Sequence, residues 1–298
     1  MNNTNLYRVS PGPHIRCRIT TGDVMYDVLL SLLPAAVFGV WHFGLRALLL
    51  MVTGVFSAVS MEFVFNCLTG RDNTLRDGSA AVTGLLLALS LPPDAPAYMA
   101  YIGAAVAVVL AKGVFGGLGR NRLNPALAGR CLLMVAFGGA MTGFLKQSGW
   151  CGASMDTAAL ARMLLGTQSA VIGGSVIALL IGGIYLLAAG GITWHIPVSA
   201  AAGYFVLALL FHGAAGALEQ TLFFLSGGGM LAAFFMATDP VTSPVSDSGQ
   251  ILYGLGIALL SFLLRETLFP AEAVCCAVLL ANLAAPLIDR FTIPSPRV

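Results

Sequence analysis

The chain has 298 residues, of which 58% are hydrophobic and only 9% are charged, and its net charge is +2. Soluble domains carry roughly 25% charged residues, and a soluble core of this length leaves too much chain at its surface to hide so much apolar side chain. An ordinary soluble domain is therefore excluded, and the small charge gives no electrostatic footprint for nucleic acid.

Residues 1–23 are polar, hold Arg8, Arg16 and Arg18, and lack the apolar core and small-residue cleavage site of a signal peptide. They read as a cytoplasmic leader. Ten apolar segments follow, each close to the roughly 20 residues that cross a hydrocarbon core. They lie around 24–41, 45–66, 78–92, 95–113, 125–143, 169–188, 194–212, 220–238, 250–265 and 271–288. The pattern predicts an all-α polytopic membrane protein of about ten transmembrane helices. It forms one domain over 24–288, with 289–298 as a cytoplasmic tail. With the N-terminus inside, the Lys and Arg left outside are Arg46, Lys146, Arg162 and Arg265, out of 15 in the chain. That bias is the one expected when both termini are cytoplasmic.

Span three opens on Gly78-Ser79-Ala80-Ala81 and leads to Pro92 and Pro96, and span eight opens on Ser226-Gly227-Gly228-Gly229 and leads to Pro240 and Pro244. One offset, 148, relates both proline pairs. Five spans apart means opposite directions through the bilayer, so the expectation is an inverted repeat of two five-helix halves, about 24–143 and 169–288, joined by an outer loop at 144–168. A second pair, Asn121 to Pro125 and Asn282 to Pro286, has a different offset and does not extend the repeat. Short, proline-stopped helices of small residues pack centrally, beside an interior pathway or pocket.

Ionisable groups inside spans are costly and mark candidate functional positions. Asp27 and Glu62 fall in or near the first two spans. Glu62 lies close enough to the cytoplasmic face for snorkelling to account for it. Asp77 precedes Gly78-Ser79 and reads either as a cap of span three or as an ion ligand. Asp239, before Pro240, reads either as a turn residue or as an ion ligand. The loop Gly116 to Arg122 is glycine-rich and basic but follows no strand, so no nucleotide fingerprint applies. His14, His42, His195 and His212 are scattered near span ends. The six cysteines form no Cys-x-x-Cys, and Cys275-Cys276 reads as packing in an apolar run, so no metal or iron–sulfur cluster is expected on this chain alone.

Several stretches, taken together, resemble the RnfD family, the D subunits of Rnf electron-transport complexes. They are Asp77 to Ala88, Gly116 to Asn121 with Asn124-Pro125-Ala126, Trp194-His195-Ile196-Pro197, and Ala237-Thr238-Asp239-Pro240-Val241-Thr242. The sister family holds the B subunits of the sodium-pumping NADH:quinone reductases. The resemblance implies a membrane component of an ion-translocating ferredoxin:NAD oxidoreductase in the bacterial inner membrane, coupled to Na⁺ or H⁺ export. Implied partners are the other Rnf-type subunits and a flavin transferase, within the lipid bilayer.

The family links FMN through its phosphate to a threonine on the outer side. Its attachment motif falls here on Ser148 to Met155, with Ser148 in place of Asp, Cys151 in the hydroxyl position and Ser154 as the acceptor. The resemblance thus offers three arrangements: FMN on Ser154, FMN on Thr157, or FMN held without a covalent bond. It also allows a second, free flavin. Asp77 and Asp239 are the nominees for the ion pathway. The contrasting reading, from the inverted repeat alone, is a cofactor-free channel or secondary transporter.

Overall fold

The first helix begins where local hydrogen bonding starts it. The Thr20 hydroxyl accepts the Asp23 N–H at 3.3 Å, while the Asp23 carboxylate accepts the Thr20 N–H at 2.7 Å, a reciprocal cap. The computed structural model describes residues 20–147, 161–267 and 273–292, apart from 71–73, 118, 163, 168 and 170.

Among the described residues, nine α-helices follow in chain order: α1 Thr21–Phe43, α2 Leu45–Thr69, α3 Ser79–Ser90, α4 Ala97–Val106, α5 Pro125–Gln147, α6 Val176–Ala188, α7 His195–Phe224, α8 Asp247–Thr267 and α9 Ala273–Thr292. α4 continues as a π-helical stretch, Ala107–Val114. α7 bends at Gly213, whose φ of 70° and ψ of −179° break the helical run and suit a residue without a Cβ. Beyond the bend α7 runs into two π-helical stretches, Leu225–Gly229 and Ala232–Met236. The glycine run there holds α-helix poorly, which allows the wider turn.

Among the described residues, six helices are long and apolar enough to cross a membrane, and Ser79–Ser90, Pro125–Met141 and Val176–Ala188 are shorter apolar ones. The second arm of α7 with its π-helical stretches completes the ten segments expected. The chain is an all-α polytopic membrane protein. Its outward surface carries exposed Val37, Phe56, Val135 and Leu210, a belt that water would penalise and lipid covers.

One segment differs from expectation. The hydropathy pattern predicts span six from residue 169, but α6 starts at Val176. Ser169, Val171, Ile172 and Ser175 are buried without being helical. Irregular backbone at this depth needs internal partners. Ile172 N–H donates to the Leu91 carbonyl at 3.0 Å and Gly173 N–H to the Leu89 carbonyl at 2.8 Å. The segment thereby satisfies carbonyls at the end of α3, a helix of only 12 residues and about 18 Å.

Packing roles recur along the chain. α2 packs on α4 as α7 packs on α8, α4 on α5 as α8 on α9, and α3 on α5 as the π-helical stretches after α7 pack on α9. α1 meets α6, and α5 meets α9.

Candidate functional site

The chemistry-bearing side chains gather at the end of the bundle where α1 begins. α2 ends there, α3 starts there, and the π-helical stretch after α4 arrives there carrying Lys112. A π turn shifts the register of the side chains that follow it. It sets Lys112 Nζ 2.6 Å from Glu62 Oε1 and 2.5 Å from Ser79 Oγ. Glu62 and Lys112 are each only 3% exposed. Glu62 is therefore no snorkelling surface residue; it is locked in a buried ion pair with the lysine 50 positions on.

The network extends on both sides of the pair. Thr74 donates its hydroxyl to Glu62 Oε1 at 2.6 Å and accepts the Asn66 amide at 3.1 Å. Ser79 donates its hydroxyl to Asp77 Oδ1 at 2.5 Å, and the same oxygen accepts the Ser79 backbone N–H at 2.9 Å. Asp77 thus satisfies a free N–H at the start of α3, as a capping carboxylate does, and also anchors the hydroxyl that faces Lys112. Glu62 Oε2 is buried and takes no hydrogen bond from the described residues.

Beside this network lies a cavity of about 80 Å³, room for several ordered waters or a small solvated ion. Ser79, Thr83, Lys112, Asn121, Asn124, Thr238 and Asp239 contribute polar groups to a lining that is otherwise mainly apolar. The structure therefore brings Asp239 to the same cavity as Ser79, to which Asp77 is bonded. Asp239 is also a turn residue: it accepts the Val241 N–H at 3.3 Å and the Thr242 hydroxyl at 3.5 Å. Burial pushes its carboxyl above the usual carboxylate range, against those two bonds, which pull it down. Asn121 Oδ1 is buried without a donor among the described residues.

The floor of the cavity is tied together by Asn124. Its Oδ1 accepts the Ala126 N–H at 3.0 Å and the Leu127 N–H at 3.4 Å, capping α5 ahead of Pro125, and its amide donates to the Met236 carbonyl at 3.0 Å. With the Asn282 amide turned to satisfy its neighbours, Asn282 Oδ1 accepts the Asn124 backbone N–H at 3.1 Å, and its nitrogen donates to the Tyr253 hydroxyl. The two asparagine–proline stretches that fail as a repeat therefore meet in space.

Other positions singled out in the sequence lie apart from this cavity. Asp27 accepts the Tyr185 hydroxyl at 3.0 Å across α1 and α6. His42 meets the Thr167 carbonyl at 3.0 Å and His212 meets Glu266 at 3.3 Å, both towards the opposite end. Gly116, Gly117 and Gly119 adopt positive φ in a basic loop whose Arg120 is exposed. Among the described residues no group of three or more His, Cys, Asp or Glu is placed to hold a metal. Ser154 and Thr157, the flavin acceptors carried over by resemblance, lie outside the described residues.

In the sequence Lys112 stands out only as one of the inner-side basic residues. A sharper signal is present: a lysine between Ala111 and Gly113, within an apolar run, with Glu62 as the one carboxylate inside span two able to match it.

The chain is 39% identical to the D subunit of the proton-translocating ferredoxin:NAD(+) oxidoreductase complex of Clostridium ljungdahlii, over 97% of this chain and 96% of that protein. It is 39% identical to the D subunit of the Na(+)-translocating ferredoxin:NAD(+) oxidoreductase complex of Acetobacterium woodii, over 98% and 95%. It is 32% identical to the D subunit of the ion-translocating oxidoreductase complex of Vibrio cholerae, over 96% and 97%. Residues 8–297 match the NQR2, RnfD, RnfE family, and with this near-complete coverage the chain belongs to that family.

Proposed function

We propose that this chain is the D subunit of an Rnf-type complex that passes electrons between reduced ferredoxin and NAD and couples them to export of Na⁺ or H⁺. The observation that carries this reading is the 39% identity over 97% of the chain to a relative bearing that name. The chain acts with the other subunits and is not active alone. It lies in the bacterial inner membrane with both termini in the cytoplasm, a placement supported by the distribution of Lys and Arg. Its two halves, about 24–143 and 169–288, form an inverted repeat, supported by the shared proline offset and the recurring packing roles. The cofactor-free transporter reading has no observation of its own beyond that repeat.

On this reading FMN is attached on the outer face to Ser154, whose hydroxyl can form the same phosphoester as threonine; Thr157 is the second acceptor and non-covalent FMN the third arrangement. When bound, FMN supplies a relay for electrons. A second, free flavin belongs to the same proposal, with no residues assigned to it. The chain's own contribution to ion movement is placed at Asp77 and Asp239, a reading supported by the cavity that Asp239 lines together with Ser79, the hydrogen-bond partner of Asp77. In-gel flavin fluorescence of the denatured protein, co-expressed with its own flavin transferase, tests the cofactor. A band in wild type that Ser154→Ala removes assigns the acceptor. A band lost only in Thr157→Ala moves it. Flavin released on denaturation without a band gives the non-covalent form, and a purified subunit without any flavin overturns the redox role.

A further inference from the structure

We propose that Arg120 and Arg122, on the loop after the π-helical stretch of α4, hold the phosphate of an anionic phospholipid whose acyl chains lie against Leu110, Val114 and Phe115. The leaflet is the one at the end of the bundle where α1 begins, the cytoplasmic leaflet on the orientation proposed above.

The apolar half of the site comes from the helix. Leu110, Val114 and Phe115 are all exposed. In a helix of wider turn, residues four and five apart share a face, so the three form one apolar step leading to the loop. Gly113 is turned the other way, and a Cβ there would lie 2.9 Å from the Phe65 ring of α2. Contacts between helices in a membrane favour small residues. The exposed step is built of large ones, which suits acyl chains better than the helix of another subunit.

The charged half comes from the loop. Gly116 and Gly117 take φ of 111° and 98°, which only glycine adopts without strain, and they turn the chain sharply after Phe115. A Cβ on Gly116 would lie 3.0 Å from Arg120 Cδ and 3.8 Å from its Nη1. The Arg120 side chain therefore folds back over the loop onto the residue that follows Phe115. Arg120 and Arg122 are exposed, and neither makes an ion pair among the described residues, whereas Arg46, at the other end of α2, has Asp94 at 3.7 Å. Basic residues are common on the inner side of membrane proteins. These two are set by a shaped turn directly against an apolar step, where headgroup phosphates lie.

The same contact bears on the cavity. Asn121, between the two arginines, is buried and lines it. A headgroup that draws both arginines outward holds the loop in the register that turns Asn121 inward.

The test uses the whole purified complex in liposomes carrying a trace of phospholipid with a diazirine on its acyl chain, either phosphatidylglycerol or phosphatidylcholine. Illumination expels N₂ and the carbene inserts into a neighbouring bond, which peptide mapping by mass spectrometry locates. Residues 110–115 should be labelled by phosphatidylglycerol over phosphatidylcholine by on the order of tenfold, the scale expected for two arginines at an anionic surface. Arg120→Gln with Arg122→Gln should bring the two lipids near parity, and Arg120→Lys with Arg122→Lys should keep the preference. Equal labelling in wild type, or a preference that survives the glutamine pair, overturns the site. Inorganic phosphate at constant ionic strength should leave the labelling unchanged; if it abolishes the preference, the loop takes a free anion and the lipid is overturned as occupant. Absence of labelling by either lipid also overturns it, because another subunit then covers this face. Electron transfer is not scored, so the result is independent of the redox reading.

Discussion

Lys112 and Glu62 form an ion pair 2.6 Å long in which each side chain is only 4% exposed. Burial removes both ions from water, and their attraction repays that cost only when the remaining hydrogen-bonding capacity is filled. Thr74 and Ser79 fill part of it, yet Glu62 Oε2 is left over among the described residues. The pair is therefore poorly explained as a stabilising device, and of its two members Lys112 lines the cavity.

Energetics separates the single and double substitutions. Lys112→Met strands the Glu62 carboxylate in the bundle, a loss on the order of 3–5 kcal/mol. Glu62→Gln with Lys112→Met removes both charges and leaves a stability close to wild type or higher, since apolar or neutral replacement of a buried pair is commonly neutral or favourable. Thermal melting of the purified complex checks this: the single variant melts well below wild type and the double does not. Equal melting of all three would mean that the pair is not buried in the assembled protein.

How much of this is legible in the sequence depends on the distance over which each feature is encoded. Apolar runs give the helices to within a few residues because length and hydropathy are local. The start of α6 escapes them because hydropathy cannot distinguish helix from the buried, irregular run Ser169 to Ser175, whose backbone bonds go to Leu89 and Leu91 on another helix. Asp77 and Asp239 stand out because each flanks one of two similar segments, Asp77 just before its segment and Asp239 just after the other. Glu62 is visible but undervalued, because its partner lies 50 residues away and the π-helical register that aims Lys112 at it leaves no local pattern.

Asn124 is expected to matter through two separate contacts. Asn124→Ala removes the cap of α5, worth about 1 kcal/mol, and also strands the buried Met236 carbonyl, costing roughly 1–3 kcal/mol more. Asn124→Asp keeps the oxygen that accepts the Ala126 and Leu127 N–H groups and loses only the donor to Met236. The order of melting temperatures should be wild type, then Asn124→Asp, then Asn124→Ala. An aspartate variant less stable than the alanine would show that repulsion from the Met236 carbonyl outweighs the cap.

The crossing of α2 and α3 depends on two glycines. A Cβ on Gly84 would lie 2.5 Å from the Gly54 carbonyl oxygen and 2.8 Å from the Val55 Cα, backbone atoms that cannot turn aside. Gly84→Ala is expected to cost about 1–3 kcal/mol by forcing the helices apart. Gly256 in α8 is the control, since none of the described residues lies within 4 Å of a Cβ there. Gly256→Ala should be neutral, or more stable by up to about 1 kcal/mol as helix propensity improves. Detergent-resistance half-lives of the two variants check the contrast.

The contact of α5 with α9 places Cys131 Sγ 3.8 Å from Cys276 Sγ. A disulfide needs sulfurs about 2.05 Å apart, a gap that small side-chain and helix shifts can close. Copper phenanthroline, a membrane-permeant oxidant, takes two electrons from the two thiols while two protons leave, and the Cys131–Cys276 bond should form in the intact protein. Peptide mapping under non-reducing conditions reads it out. Cys131→Ser and Cys276→Ser should each abolish the bond, whereas Cys275→Ser, which alters the neighbouring buried residue, should leave it in place. Successive residues of a helix point about 100° apart, so bonding through Cys275 instead would mean that α9 is turned by that angle relative to α5. The Asn124–Asn282 contact, on the same two helices, could not survive that rotation.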